Sequence, residues 1–270
     1  MRQHSAGTRF VLVLLLAAAF GAGSAAPDRW ADSRAILEDA IQKRTAANTL
    51  RRFTLTLRSE SGRSQIRRAT IATKEYEGIL YVLGVFSHPE DLRGTAFLTV
   101  DKPSSSDYFV YFPAFRRVRR VSAYQQSDPW FGTDLSIEDV ERHDGSEFEI
   151  VASDATELEG ERVRKIVAKP TYGSSYQRVS FFIAEADHAI LRVEYHRKGR
   201  ELPSKVIEAS REGMVAREGA VIPRRLLCTN PETRTQTEVV VDEVIFSPEI
   251  QREFFTTGNL ELRSKLLFLD

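Results

Sequence analysis

Residues 107–141 read DYFVYFPAFRRVRRVSAYQQSDPWFGTDLSIEDVE. An aromatic run, Tyr108 to Phe112, passes through Pro113 into four arginines, Arg116, Arg117, Arg119 and Arg120, which surround Val118. A polar connector with Pro129 and Gly132 follows, and the acidic stretch around Glu138 and Asp139 reads as a short helix. Side chains of a strand alternate between two faces. Tyr108, Val110 and Phe112 therefore oppose Phe109 and Tyr111, and both faces are apolar. Ile79-Leu80-Tyr81-Val82-Leu83 has the same property. A strand with one face in water would alternate apolar and polar residues. These two are covered on both sides, by helices, a second sheet, or a ligand or partner. The segment Pro248–Leu260 has the apolar content to supply part of that cover.

Working outward, the same period of two recurs along the chain. Phe53, Leu55 and Leu57 alternate with polar residues, and strands are expected at Ile66–Lys74, Ile79–Ser87, Gly94–Asp101, near Phe148, and at Val163–Ala168, Arg178–Ala184, Ile190–Tyr195, Lys205–Ala209, Ile222–Thr229 and Glu238–Phe246. Turn pairs such as Glu77-Gly78, Glu159-Gly160 and Glu218-Gly219 separate them. Many short strands at this spacing, with few helices, predict a mainly β (α+β) fold built on one large, curled or closed antiparallel sheet. A helix precedes the sheet. Asp28 is its expected N-cap, and Trp30, Ile36, Leu37, Ala40 and Ile41 recur at helical spacing. No repeat or Pro/Ser-rich linker divides residues 26–270, which are read as one domain.

Residues 1–25 read as a cleaved secretory signal. Arg2 and Arg9 precede the apolar run Phe10–Phe20, and Ala22, Gly23, Ser24 and Ala25 form the small-residue cleavage site. The competing reading is a retained anchor, but the run is short of the roughly 20 helical residues that span a bilayer. No cysteine follows the small residues, so a lipid-modified N-terminus is not expected. The single Cys228, within Leu226-Leu227-Cys228, excludes an internal disulfide and reads as a small buried hydrophobe. Removing Arg2 and Arg9 from the 38 basic residues leaves 36 against 38 acidic ones, a near balance that argues against nonspecific nucleic-acid binding.

No catalytic constellation stands out. His88, His143, His188 and His196 have no metal-ligand spacing, and no nucleophile elbow or phosphate loop is present. Asp134, Glu138, Asp139 and Glu141 cluster, yet Thr133 as N-cap with acids in the first helical turn accounts for them without chemistry. Neither an enzyme, nor a metal, nor a cofactor is expected.

Tyr111, Pro113, the Arg116–Arg120 block, Phe131, Gly132, Asp134 and the Glu138–Asp139 pair together resemble the signature of LolA-like periplasmic proteins, the outer-membrane lipoprotein-sorting type. Some of these accompany RND-type (MMPL) lipid exporters. The stretch Pro89–Ala96 resembles the segment that precedes that signature. The resemblance implies a half-open barrel whose apolar concave face is covered by helices and accepts acyl chains. Each buried methylene would contribute about 0.8 kcal/mol. On this reading Phe53, Leu55, Leu57, Tyr81, Leu83, Phe97, Tyr108, Val110 and Phe112 are candidates for the cavity wall; the competing reading places each in an ordinary core. Arg116, Arg117, Arg119 and Arg120 are candidates for contact with lipid headgroups or a partner, since guanidinium groups bind phosphates bidentately. Internal pairing with Glu138, Asp139 or Glu141 is their alternative. The function implied is a soluble, monomeric periplasmic carrier or accessory protein for lipid or lipoprotein acyl chains, with an RND-type transporter as a potential partner. A non-carrying module docking to such a transporter or to an envelope-stress regulator is the second reading. Nothing aligns locally with the release-related residues of the well-studied lipoprotein carrier, and no binding residue is carried over from it.

Overall fold

The chain runs from the middle of one sheet to its first edge, crosses to the opposite edge, and returns to the middle. The computed structural model describes residues 29–102, 105–121 and 127–261. The expected leader and the Asp28 cap lie outside these residues. Helix α1 (Ala31–Thr45) leads into β1 (Thr49–Arg58), β2 (Ser64–Tyr76), β3 (Ile79–His88), β4 (Ala96–Lys102), β5 (Ser105–Phe112) and β6 (Arg117–Val121). A long connector containing α2 (Ile137–Val140) reaches β7 (Phe148–Leu158), followed by β8 (Glu161–Pro170), β9 (Arg178–Ala184), β10 (Ile190–His196) and β11 (Lys205–Ala209). A hairpin, β12 (Val215–Arg217) and β13 (Ala220–Ile222), stands apart. Then β14 (Arg225–Asn230) and β15 (Thr235–Phe246) rejoin the sheet, and α3 (Thr257–Glu261) ends the described chain.

The large sheet has 13 strands in the order β6-β5-β4-β3-β2-β1-β15-β14-β11-β10-β9-β8-β7. Every adjacent pair is antiparallel, and β1 meets β15 at the seam, Thr49 opposite Phe246 and Arg58 opposite Gln236. The sheet is not closed: β6 and β7 remain edges, so the architecture is mainly β and half-open. Register shifts at Arg52/Phe53, Arg68/Ala69, Ile150/Ala152 and Ile190/Arg192 mark bulges. Each bulge bends its strand and increases the local twist. At Gly84 the strand makes room for a ring instead: Phe97 lies directly opposite on β4, and a Cβ there would fall 2.3 Å from the Phe97 ring.

Two apolar layers result. On the inner face, Leu37 and Ala40 of α1 pack on Phe148, Ile166, Phe181 and Val193, while Phe86, Phe97, Tyr108 and Trp130 form an aromatic block across β3–β5. Burial of its i, i+3 stripe is what holds a helix of modest propensity in place. On the outer face, Phe255 and Leu260 close over Tyr81, Leu83, Leu98 and Tyr111. Both faces of β3 and β5 are thus covered, and the segment after Pro248 provides the outer cover. One strand boundary departs from expectation. Ile222–Thr229 is two strands, not one, because Pro223 has no N–H to donate to the ladder. Arg224 turns there to donate from Nη1 to the carbonyls of Val241 and Asp242, each at 2.8 Å.

Candidate functional site

The connector 127–147 links the two sheet edges and crosses the inner face as a strap. Its first turn is closed by the Trp130 N–H donating to the Leu135 carbonyl at 2.7 Å and a bridge between Pro129 and Ser136. Trp130 donates from Nε1 to the Tyr108 hydroxyl at 3.0 Å. Phe131 has φ +47°, rare for an aromatic residue, and Gly132 follows at +71°. This pair of left-handed residues swings the Phe131 ring to 4.7 Å from Phe86 and lets the Arg67 guanidinium lie against the glycine, 3.3 Å from where a Cβ would sit. Such strain persists where surrounding contacts over-determine it.

Three carboxylates then fasten the strap to the far half of the sheet. Asp134 accepts from the hydroxyls of Thr235 and Thr237, the latter at 2.7 Å, while its own N–H donates to Thr237 at 2.9 Å. Glu138 accepts from the Ser174 hydroxyl, and from the Ser175 hydroxyl at 2.8 Å and N–H at 3.2 Å. Asp139 caps α2 by accepting the Ser136 N–H at 2.6 Å and pairs with Lys205 of β11. The Asp139 side chain is fully buried and that of Lys205 is 7% exposed. Tyr176 completes the cluster, its hydroxyl 3.1 Å from Asp139 and 2.7 Å from Lys205. Burial and the Asp139 charge push the Tyr176 phenol far up. His143 ends the strap, stacked 4.5 Å over Tyr172 and bonded to Glu147 and the Glu138 carbonyl. Burial lowers its pKa, but those two acceptors outweigh it and the net shift is upward.

Beneath strap and helix lies a cavity of about 290 Å³. This is at the small end of the roughly 300–1,000 Å³ typical of ligand pockets. Ala40 and Ile41 of α1 and Leu135 and Val140 of the strap roof it. The floor comes from both halves of the sheet, Phe53, Leu55, Ile71 and Val82 on one side and Phe181, Val193, Ile207 and Val239 on the other. The lining is predominantly apolar, and its charged members include Arg51, Asp101 and Arg142 as well as Lys43, Arg44, Glu141 and Arg192. Arg51 is half-buried, donates from Nη2 to Thr73 at 3.1 Å, and lies over the Phe53 ring; burial pushes its pKa down to about 10. Burial also raises the Asp101 carboxyl, against a lowering bond from Ser106. Cys228 lines the wall, 1% exposed, with its thiol pushed far up by burial. That thiol is inert packing.

Of the expected wall residues, Phe53, Leu55, Phe97 and Tyr108 face the cavity. Leu57, Val110 and Phe112 lie on the same face but within the aromatic block around Trp130 and Phe131. Tyr81 and Leu83 do not belong to the wall. Strand parity turns them outward under Phe255, and their neighbours Leu80 and Val82 face the cavity instead. The arginines are all exposed, and the alternative of pairing them with Glu138 or Asp139 is not what the structure shows. Glu138 and Asp139 are engaged by the far half of the sheet, whereas Arg120, with Lys102, pairs with Asp107. Arg116 occupies the β5–β6 turn at φ +47°, and Arg119 lies 5.2 Å over the exposed Phe115 ring. The N-cap of α2 is Ser136 rather than Thr133, whose hydroxyl donates to the Trp130 carbonyl. Sequence reasoning passed over Ser174, Ser175, Tyr176 and Lys205. The one available signal was a lysine placed directly before the apolar pair Val206-Ile207.

Among the described residues no group of His, Cys, Asp and Glu is arranged to hold a metal, and no helix is long and apolar enough to cross a membrane. A family model described only as an uncharacterized protein matches residues 81–262. The chain belongs to that family. No curated protein matches it. Solved structures supply the fold. A domain designated an outer membrane lipoprotein-sorting protein from Vibrio parahaemolyticus is 21% identical with a TM-score of 0.75, over 86% of this chain and 96% of that one. A DUF1329 family protein from Desulfovibrio piger is 20% identical with a TM-score of 0.78, over 85% and 98%. A LolA superfamily protein from Nitrosomonas europaea is 16% identical with a TM-score of 0.67, over 84% and 98%. The fold is therefore LolA-like; the strap carries Phe131, Gly132, Asp134, Glu138 and Asp139 of the sequence signature, and the rest of it lies on β5, β6 and the turn between them.

Proposed function

We propose that this protein is a non-enzymatic periplasmic carrier that holds acyl chains of lipids or lipoproteins in the cavity under its strap. The single observation behind the reading is that cavity: a predominantly apolar hollow of about 290 Å³ between a curled sheet, a helix and the strap. A fully packed interior would have had no room for cargo. Arg51, Asp101 and Arg142 are among its polar lining groups, and a largely apolar wall with a few such groups suits a ligand with a polar end. The LolA-like fold, shared with a domain designated for lipoprotein sorting, supports the same assignment.

The exposed arginines suit delivery. Arg116, Arg117, Arg119 and Arg120 with Phe115, itself 64% exposed, make a basic tip with an aromatic wedge at one sheet edge. An anionic membrane surface attracts such a tip by about 1 kcal/mol per basic residue near it. An RND-type exporter is the membrane partner with which such a carrier would exchange lipid. The test is direct. Protein purified from its native envelope carries acyl lipid by mass spectrometry, and delipidated protein takes up a fluorescent fatty-acyl probe saturably at one site. Empty preparations that also fail to take up the probe would reject the carrier reading.

A further inference from the structure

Arg51 is a partly buried cation that the protein itself does not neutralise. Among the described residues its only hydrogen bond runs from Nη2 to the neutral hydroxyl of Thr73, and its Nε, shut away from solvent, finds no partner there. Among the described residues no carboxylate stands within ion-pair distance of it. Lys205, the more deeply buried cation, differs in this respect: that ammonium has Asp139. An unpaired guanidinium is costly to desolvate, and a buried donor without an acceptor adds to that cost. A fold that needed only bulk at this position would be more stable with methionine or leucine. The group sits on the cavity wall, two residues from Phe53 on the same face of β1, and its planar fork matches an oxyanion bidentately.

We propose that Arg51 is the binding residue for the anionic headgroup, a carboxylate or phosphate, of a cargo whose hydrocarbon tail fills the rest of the cavity. This rests on the carrier reading and narrows it, because a cargo attached only through uncharged ester and amide groups would leave Arg51 unneutralised. The neighbouring groups agree with such a site. Thr73 supplies a hydroxyl beside the fork, and the Phe53 ring beneath it keeps water away. Asp101 lines the same cavity, but the charges acting on it are Arg142, His143 and Glu147, not Arg51.

The experiment compares three single-chain probes with delipidated full-length protein by calorimetry: palmitic acid, 1-hexadecanol and 1-palmitoyl-lysophosphatidic acid. Wild type is expected to bind at least one of the two anions about tenfold more tightly than the alcohol, as a charge-assisted pair should give. Which anion binds more tightly tells carboxylate from phosphate recognition. Arg51→Met is expected to erase the preference while hexadecanol affinity stays within about twofold, and Arg51→Lys to keep part of it. Because methionine removes an unpaired buried charge, the variant is expected to fold, with a melting temperature at or above that of wild type. Equal binding of all three probes by wild type overturns this inference and leaves the carrier reading standing, as does an undiminished preference in Arg51→Met. Failure of every probe to bind overturns both.

Discussion

The sheet has two covers, and they differ in the balance of apolar packing and buried polar bonds that fastens them. On the outer face Phe255 and Leu260 are pushed into the sheet between Tyr81, Leu83 and Tyr111, with ring centroids of Tyr81 and Phe255 5.6 Å apart. That cover is its own filling. On the inner face the strap is tied down by Asp134, Glu138 and Asp139, each gripping a hydroxyl or ammonium of the opposite half-sheet. Directional bonds hold a segment at a fixed height without requiring apolar bulk beneath it, whereas apolar burial rewards collapse. The chemistry of attachment therefore decides which side of the sheet stays hollow.

Cutting the tightest of these ties should show the largest effect. Lys205→Met leaves the fully buried Asp139 without its cation, and removing one partner of a buried pair costs about 3–5 kcal/mol. Urea denaturation should show that loss, accompanied by weaker uptake of an acyl probe as the strap loosens. Replacing Asp139 by leucine in the same chain should recover part of the stability, but not all, since Asp139 also caps α2 and accepts from Tyr176. Phe255→Ala is the matching cut on the other side. Truncating a buried phenylalanine costs about 3 kcal/mol, so it should lower the urea midpoint nearly as far. Its probe affinity should stay at the wild-type level, because nothing of the cavity wall moves. If both variants lose binding alike, the two covers are not independent.

A smaller effect tests the floor between them. Gly84→Ala drives a methyl group into the Phe97 ring, and overpacking of this kind costs about 1–3 kcal/mol. Since Phe97 both lines the cavity and meets Trp130 of the strap edge-to-face at 5.4 Å, probe affinity should fall along with stability. The smallest effect is a pH dependence confined to the strap. His143 has its folded pKa raised above its ordinary value near 6.5, with Glu147, Glu141 and the Glu138 carbonyl favouring the charged ring. A group raised in this way contributes its full stabilisation below about pH 6.5 and loses it as pH rises through the folded value. The stability gap between wild type and His143→Gln should therefore be wider at pH 6 than at pH 9 in urea titrations, and a gap that widens towards alkaline pH would contradict the sign.

The same contrast explains what the sequence disclosed. Apolar attachment leaves a local trace. Tyr108–Phe112 and Ile79–Leu83 are greasy on both faces, so a double cover followed from composition alone, and Pro248–Leu260 was visible as its outer part. Polar attachment leaves none. Nothing near Asp139 points to Lys205, which lies 66 positions away, and Ser174 and Ser175 read as any loop would. The double greasiness that announces the cover also conceals which parity faces the cavity, so the sequence alone does not separate Tyr81 and Leu83 from the wall. Arg51 went unnoticed for a related reason. In a stretch reading Leu50-Arg51-Arg52-Phe53, two adjacent arginines look alike, and only the folded seam shows that Arg52 meets Glu243 while Arg51 turns inward.

The seam itself sets a condition on how the molecule is made. The opening strand of the sheet, β1, finds one of its two neighbours only in β15, which ribosomes produce last among the strands. Until Phe246 has emerged, the first half-sheet waits with a raw hydrogen-bonding border, and so distant a pairing is slow to form and prone to clumping meanwhile. Any nascent fragment ending before that residue should depend on a chaperone to stay dispersed.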